Sequence, residues 1–274
     1  MSYYRVLDLE REPFSTSPDP DFFYKSVEHN TALQRLEIAI RLRRGLSLIL
    51  GDVGTGKTTL SRTLFQSFNA EEDKYVFHMI LDPSYKSEYQ FLSTLTKIFG
   101  ASPFFRSTID HQEAIERYLF QKGVEEGKTI VLLIDEGQKL SQPFLEILRT
   151  LLNYETNEFK LLQLIIMSQM ELLPRLKKVR NFMDRVSLKY IINPLDENET
   201  RSLIAFRLRQ AGYKRQEPLF TEGAIKQIFE FSHGYPRKIA LLCHNALEQL
   251  VMQEKSIVDE NVMNSLLLEE ARWE

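Results

Sequence analysis

The stretch Gly51-Asp52-Val53-Gly54-Thr55-Gly56-Lys57-Thr58-Thr59 constrains this chain more than any other part of it. It satisfies the pattern Gly-x-x-x-x-Gly-Lys-Ser/Thr in full, between an apolar run, Leu46–Leu50, and a helical pattern over Lys57–Phe68. Gly51, Gly54 and Gly56 permit a tight loop whose backbone N–H groups can surround phosphate oxygens. The helix that follows turns its positive end toward the same point. Lys57 is placed to reach the β- and γ-phosphates, and the Thr58 hydroxyl to bind Mg2+. Asp52, Val53, Thr55 and Thr59 complete the candidate nucleotide loop.

The rest of the pattern has the rhythm of a parallel sheet covered by helices. Short apolar strands are predicted at Leu46–Leu50, Tyr75–Leu81, Thr129–Ile134, Leu161–Met167 and Ser187–Ile192. Helical periodicity fills the intervals near Asn30–Arg44, Lys57–Phe68, Glu88–Phe99, Gln112–Glu125 and Pro143–Tyr154. After Asn193-Pro194 the strands stop. Helices alone are predicted over Glu197–Ala211, Glu222–Phe231, Pro236–Gln253 and Asp259–Glu270, with Thr221 and Asp259 as N-caps and Pro236 in a first turn.

The strand Thr129–Ile134 ends in Asp135-Glu136, 78 residues after Lys57. Two acids at the carboxyl end of a buried strand stand where open α/β sheets bind ligands. Asp135 is expected to hold Mg2+ through water, and Glu136 to polarise the water that attacks the γ-phosphate. This pairing points to ATP hydrolysis, and the chain has no Asn-Lys-x-Asp sequence for reading guanine. Gln169, at the end of the fourth strand, can reach toward the γ-phosphate between the two motifs. Arg185, with Arg180 second, precedes the fifth strand, where an arginine can stabilise transition-state charge in a neighbouring subunit. Gly234-Tyr235-Pro236-Arg237 opens a helix, and Arg237 is expected to reach back over the nucleotide.

Composition narrows the classes. A net charge of -3 excludes a wholesale basic coat, yet Met170–Arg215 carries eleven Lys/Arg against five Asp/Glu, while Glu248–Glu274 carries seven acids and two bases. Arg175, Lys177, Lys178 and Arg180 form the densest basic cluster and are the candidate contacts to a DNA backbone. The single cysteine, Cys243, forbids an intramolecular disulfide framework, and neither it nor the five histidines stand at zinc-ligand spacing. No apolar run approaches a membrane span and no signal peptide is visible, so a cytoplasmic location is expected, with a partner supplying any peripheral attachment to the inner membrane.

Taken together these motifs resemble the AAA+ ATPases, and more closely the GspA/ExeA-type ATPases of bacterial secretion pathways. The resemblance runs from Glu12-Pro13-Phe14-Ser15, Pro18-Asp19-Pro20, Phe23-Tyr24 and His29 through the nine-residue loop, Ile134-Asp135-Glu136-Gly137-Gln138 and the Gly-x-Pro-Arg, essentially the whole chain. The turn after the fourth strand departs from the pattern: Ser168-Gln169-Met170-Glu171-Leu172 stands where that family has Gly-Gln-Pro-Glu-Leu. What the resemblance implies is a P-loop NTPase fold with five parallel strands in the order 5-1-4-3-2 and a small C-terminal helical lid. It implies an N-terminal segment over residues 1–28, an α/β domain over 29–194 and the lid over 195–274. It places Gln169 at sensor 1, Arg185 at the arginine finger and Arg237, after Pro236, at sensor 2, with Phe14 and Pro18 beside the adenine. It further implies ring or filament assembly with active sites at subunit interfaces, and work on a secretion or type IV pilus-type machine. A second class is related: TnsC/TniB-like regulators that assemble on DNA and recruit a transposase. The whole-chain resemblance favours the first reading, and the length of 274 residues the second.

Overall fold

The computed structural model describes residues 3–215 and 217–270, which fall into two units. One unit takes in Glu28–Val53 and Leu60–Ile192. The other takes in Gly54–Thr59, the described residues up to Val27 and those from Asn193 on. In chain order the helices are α1 (Tyr3–Val6), α2 (Val27–Arg41), α3 (Lys57–Ser67), α4 (Glu88–Phe99), α5 (Thr108–Phe120), α6 (Gln142–Leu151), α7 (Leu173–Leu176), α8 (Glu197–Gln210), α9 (Glu222–Ser232), α10 (Pro236–Met252) and α11 (Glu260–Glu270). The strands are β1 (Leu46–Gly51), β2 (Tyr75–Ile80), β3 (Thr129–Ile134), β4 (Leu162–Ser168) and β5 (Val186–Ile192).

The sheet is parallel throughout, in the order β2-β3-β4-β1-β5, which is the expected 5-1-4-3-2 read from the other edge. Burial follows position. Every residue of β1, β3 and β4 is buried, as continuous apolar runs in the middle of a parallel sheet must be. The edge strands are only partly covered, and along β5 exposed Ser187, Lys189 and Ile191 alternate with half-buried Val186, Leu188 and Tyr190. Where β5 joins β1 the register slips by one residue after Leu46, and the Ser187 hydroxyl donates to the Leu46 carbonyl at 2.8 Å. Leu48, Leu132, Ile134, Leu164 and Ile166 from the central strands pack with Phe91, Leu95, Leu145 and Leu148 from α4 and α6 in one apolar core.

Between β2 and β3 the chain inserts two helices. The helix predicted from Gln112 starts four residues earlier, at Thr108, because the Ser107 hydroxyl accepts the Asp110 N–H at 3.1 Å and caps it. It then passes into a π-helical turn over Gln121–Glu125. Gly123 in that turn approaches Leu161 so closely that a Cβ would lie 3.1 Å from its Cδ2, and the Arg43 guanidinium donates to the Gly127 carbonyl at 2.8 Å. On β2, His78 shares a hydrogen bond of 3.0 Å with the Tyr118 hydroxyl, and burial pushes its imidazole pKa down to about 4.

In the second unit, Leu203, Ile204, Ile228, Ala240, Cys243, Leu247 and Val262 from α8 to α11 form a separate core that also takes in Phe14. Its helix starts are well capped. Asp196 and Glu199 make a reciprocal capping box on α8, and Thr221 accepts the Ala224 N–H on α9. Asp259 accepts the Val262 N–H at 2.9 Å ahead of α11, one residue inside the predicted boundary. Gly234, at φ +76°, lies against the Leu195 carbonyl where no Cβ fits, and its own carbonyl accepts the Leu195 N–H at 2.9 Å. Among the described residues no helix is long and apolar enough to cross a membrane.

Candidate nucleotide site

β1 delivers Gly51 to the carboxyl edge of the sheet, and the chain turns through Asp52 and Val53 toward Gly54–Gly56 before α3 begins at Lys57. Gly54 and Gly56 have φ of +83° and +92°, the left-handed region that only glycine enters without strain. Alternating such residues with ordinary ones turns successive N–H groups toward one side of the loop, the geometry of an anion nest. Thr55 and Lys57 are buried, while Val53 is exposed. The following helix, with Lys57, Thr58 and Thr59 in its first turn, adds the positive end of an eleven-residue dipole.

Within the same unit the loop touches the start of α10. The Arg237 N–H donates to the Gly54 carbonyl at 3.2 Å, and a Cβ on Gly54 would stand 3.1 Å from the Arg237 Cβ. Pro236, at the first helical position, has no N–H to offer, so Arg237 supplies the first donor of the helix. The start of α10 thus lies directly against the Gly54 turn.

The acidic pair stands at the end of β3. Asp135 is buried, and its N–H donates to the Ile80 carbonyl at 2.8 Å. Glu136 takes a left-handed backbone, φ +52° and ψ +36°, an uncommon conformation for a residue with a side chain. Its N–H donates to Asp135 Oδ1 at 2.9 Å. The Gln138 amide then donates to Glu136 Oε2 at 2.7 Å, while the Gln138 oxygen accepts the Gln169 N–H at 3.2 Å and the Ser168 hydroxyl at 3.3 Å. Gly137 lies flat against β4: a Cβ there would meet Ile166 Cγ2 at 2.5 Å. Arg175 fastens the far side, donating to the carbonyls of Gln138 and, at 3.2 Å, Leu140.

The strand register brings these groups to one edge of the first unit. Ile134 pairs with Ile166 and Leu50 with Ser168, so Gly51 at the end of β1, Asp135 and Glu136 after β3 and Gln169 after β4 stand at the carboxyl ends of neighbouring strands. Arg185 does not join them. It precedes β5, whose seven residues run parallel to β1, and so lies at the opposite edge. At about 3.3 Å per residue that separation is roughly 20 Å. There its guanidinium donates to the Asn153 side chain. In the second unit, Phe14 is only 1% exposed, its ring packed edge-to-face on Phe220 within the helical core, and Pro18 stands on the half-buried segment that follows. Lys177, Lys178 and Arg180 are exposed, whereas Arg175 is engaged with the loop after β3.

Sequence reasoning named Glu136 and Gln169 but not the amide between them. Gln138 is part of the quoted Ile-Asp-Glu-x-Gln run, yet nothing in a sequence tells which way such an amide turns. Thr58 carries a hydroxyl and Asp135 a carboxylate, each an oxygen donor of the kind a hard divalent ion takes. Among the described residues no group of three or more His, Cys, Asp or Glu could hold a metal ion.

Residues 40–176 match the sequence profile of the AAA domain family. The chain is 35% identical over 255 residues to general secretion pathway protein A of Aeromonas hydrophila, which covers 89% of this chain and 44% of that protein. It therefore spans less than half of that relative's length. Among solved structures it is similar to the Aeropyrum pernix ORC2 protein in its ADPNP–ADP complexes, with a TM-score of 0.67 at 14% identity over 95% of this chain and 71% of that one. It is also similar to Cdc6p from Pyrobaculum aerophilum, with a TM-score of 0.64 at 18% identity over 90% and 67% of the two chains.

Proposed function

The chain belongs to the AAA domain family, and from that premise we propose that it binds ATP with Mg2+ and hydrolyses it to ADP and phosphate. The observation that carries the reading is the complete Gly-x-x-x-x-Gly-Lys-Thr loop, with Gly54 and Gly56 at positive φ, leading into α3. In this reading the N–H groups of Gly54–Thr59 cradle the phosphates, and the Lys57 ammonium neutralises charge on the β- and γ-phosphates. Thr58 and Asp135 would hold Mg2+, which would supply positive charge against the triphosphate. Glu136 accepts a proton from water as the water oxygen bonds to the γ-phosphorus. The bond from that phosphorus to the β–γ bridging oxygen breaks, and the electron pair leaves with ADP. Gln169 reads the γ-phosphate from the end of β4, and Arg237 approaches from α10. Pro18 borders the adenine, with Phe14 holding that segment from within the helical core.

Hydrolysis is proposed to occur between subunits. Arg185 sits at the sheet edge opposite Glu136, which supports its serving the site of a neighbouring copy in a ring or filament. The kinship with general secretion pathway protein A supports a protein machine of the secretion or type IV pilus kind as the partner.

Three variants test the chemistry. Lys57→Ala should lose binding of a fluorescent ATP analogue, whereas Glu136→Gln should bind it while releasing phosphate about 100-fold more slowly, or less. Unchanged phosphate release from Glu136→Gln would remove Glu136 from its role. Arg185→Ala should bind ATP normally, and mixing it with Glu136→Gln protein should restore part of the turnover that each lacks. No recovery at any mixing ratio would sink the action between subunits. The protein-directed reading has its own test: salt-sensitive, ATP-dependent binding of Glu136→Gln protein to duplex DNA would overturn it in favour of a DNA-assembled regulator.

A further inference from the structure

We infer that Gln138 is a positioning residue for hydrolysis, a two-ended amide that ties the Glu136 carboxylate to the backbone at the end of β4. This rests on the reading of Glu136 as the group that takes the proton from water.

An amide is the one kind of side chain that offers a donor pair and an acceptor on a single planar group, and Gln138 uses both ends at once. Its nitrogen donates to Glu136 Oε2 at 2.7 Å, and its oxygen accepts the Gln169 N–H at 3.2 Å and the Ser168 hydroxyl at 3.3 Å. The chemistry admits only this orientation. Turned over, the amide would present its oxygen to a carboxylate and its N–H groups to the Gln169 N–H. The span is therefore directional, running from the backbone N–H of Gln169 through one side chain to one oxygen of Glu136.

The surroundings leave that side chain as the adjustable part. The backbone from Asp135 to Leu140 is held against β4 by the missing Cβ of Gly137 and held from outside by Arg175, which donates to the carbonyls of Gln138 and Leu140. Glu136 itself occupies a left-handed turn, so its carboxylate leaves the chain at a fixed root. What remains free is the torsion of the Glu136 side chain, and the bond to Gln138 removes that freedom. A base must stand within hydrogen-bond reach of its water, and an error of 1 Å costs up to about 100-fold in rate. Because the other end of the amide is the backbone of Gln169, a displacement of that residue by a γ-phosphate is passed on to the carboxylate.

The test uses the full chain, with steady-state phosphate release measured beside equilibrium binding of a fluorescent ATP analogue. Gln138→Met keeps the side chain's length and bulk and removes both hydrogen-bonding ends. It should lower kcat about tenfold or more, while KM and nucleotide affinity stay within about twofold. Introduced into Glu136→Gln protein, the same change should alter the residual turnover by less than about twofold, since a residue that acts through Glu136 has nothing left to act on. Gln138→Asn, still an amide but one methylene too short for the span, should repeat the kcat loss, and it carries the test if Gln138→Met fails to bind nucleotide. A kcat within twofold of the parent in either folded variant overturns the inference. So does an equal loss in the Glu136→Gln background, which would mean a structural role. Full turnover in Glu136→Gln alone would instead overturn the base assignment, before Gln138 is varied.

Discussion

The loop after β1 and the loop after β3 leave the same edge of one sheet, yet they are built on opposite principles. The first is made of backbone. Its glycines at +83° and +92° turn N–H groups inward, and its binding chemistry is the chain's own amide groups. The second is made of side chains. A non-glycine residue occupies the left-handed turn, and the loop is held by an amide, a guanidinium and one glycine whose virtue is its small size. A loop of backbone declares itself in the sequence, because only glycine can take those angles. A network of side chains does not, because Gln138 and Arg175 are common residues whose partners stand 31 and 37 positions away.

The two loops should respond differently to one added methyl group. Gly137→Ala puts a Cβ against Ile166 and should cost about 1–3 kcal/mol of stability, read as a shifted midpoint in chemical denaturation. Gly54→Ala forces an alanine to +83° beside Arg237 and should show first as weaker binding of ATP, with a smaller loss of stability. Equal effects of the two on both measurements would dissolve the distinction. A lesser effect is expected of Arg175→Ala, which frees the carbonyls of Gln138 and Leu140 to water. Phosphate release should fall several-fold with ATP affinity kept, less than the roughly tenfold loss in the Gln138 variants. A drop in ATP affinity instead would tie Arg175 to the nucleotide loop.

The smallest effect lies on β2, at the edge of the sheet. His78 is held neutral by burial, with its pKa pushed to about 4 from an ordinary 6.5. The unfolded chain takes up that proton below about pH 6.5 and the folded chain does not, so its contribution to stability fades as pH falls from 6.5 toward 4. His78→Gln should flatten the fall of the denaturation midpoint across that interval, and an unchanged slope would clear the imidazole of the effect.

The sequence made the strands legible wherever burial was complete. Thr129–Ile134 reads as a strand because all six of its residues are inside. It was less informative wherever a boundary depended on a single polar contact. The start of α5 at Thr108 depends on the Ser107 cap, and the π-helical turn at Gln121–Glu125 depends on the close approach of Gly123 to Leu161. The same limit divides the candidate site. The residues that would meet phosphate were nameable from their pattern, whereas the surroundings that hold Glu136 depend on where β4 comes to lie. That placement is settled by the packing of the whole sheet.

Glu136 stands where its own backbone would be more at ease as glycine. A left-handed residue with a side chain carries a strain on the order of 1 kcal/mol, which Glu136→Gly would release. Stability and chemistry therefore pull in opposite directions at this one position. If the chain drifted without selection for turnover, the forfeited carboxylate would be a downhill step for the fold. The descendant would be sturdier, would still grip its nucleotide and would no longer spend it.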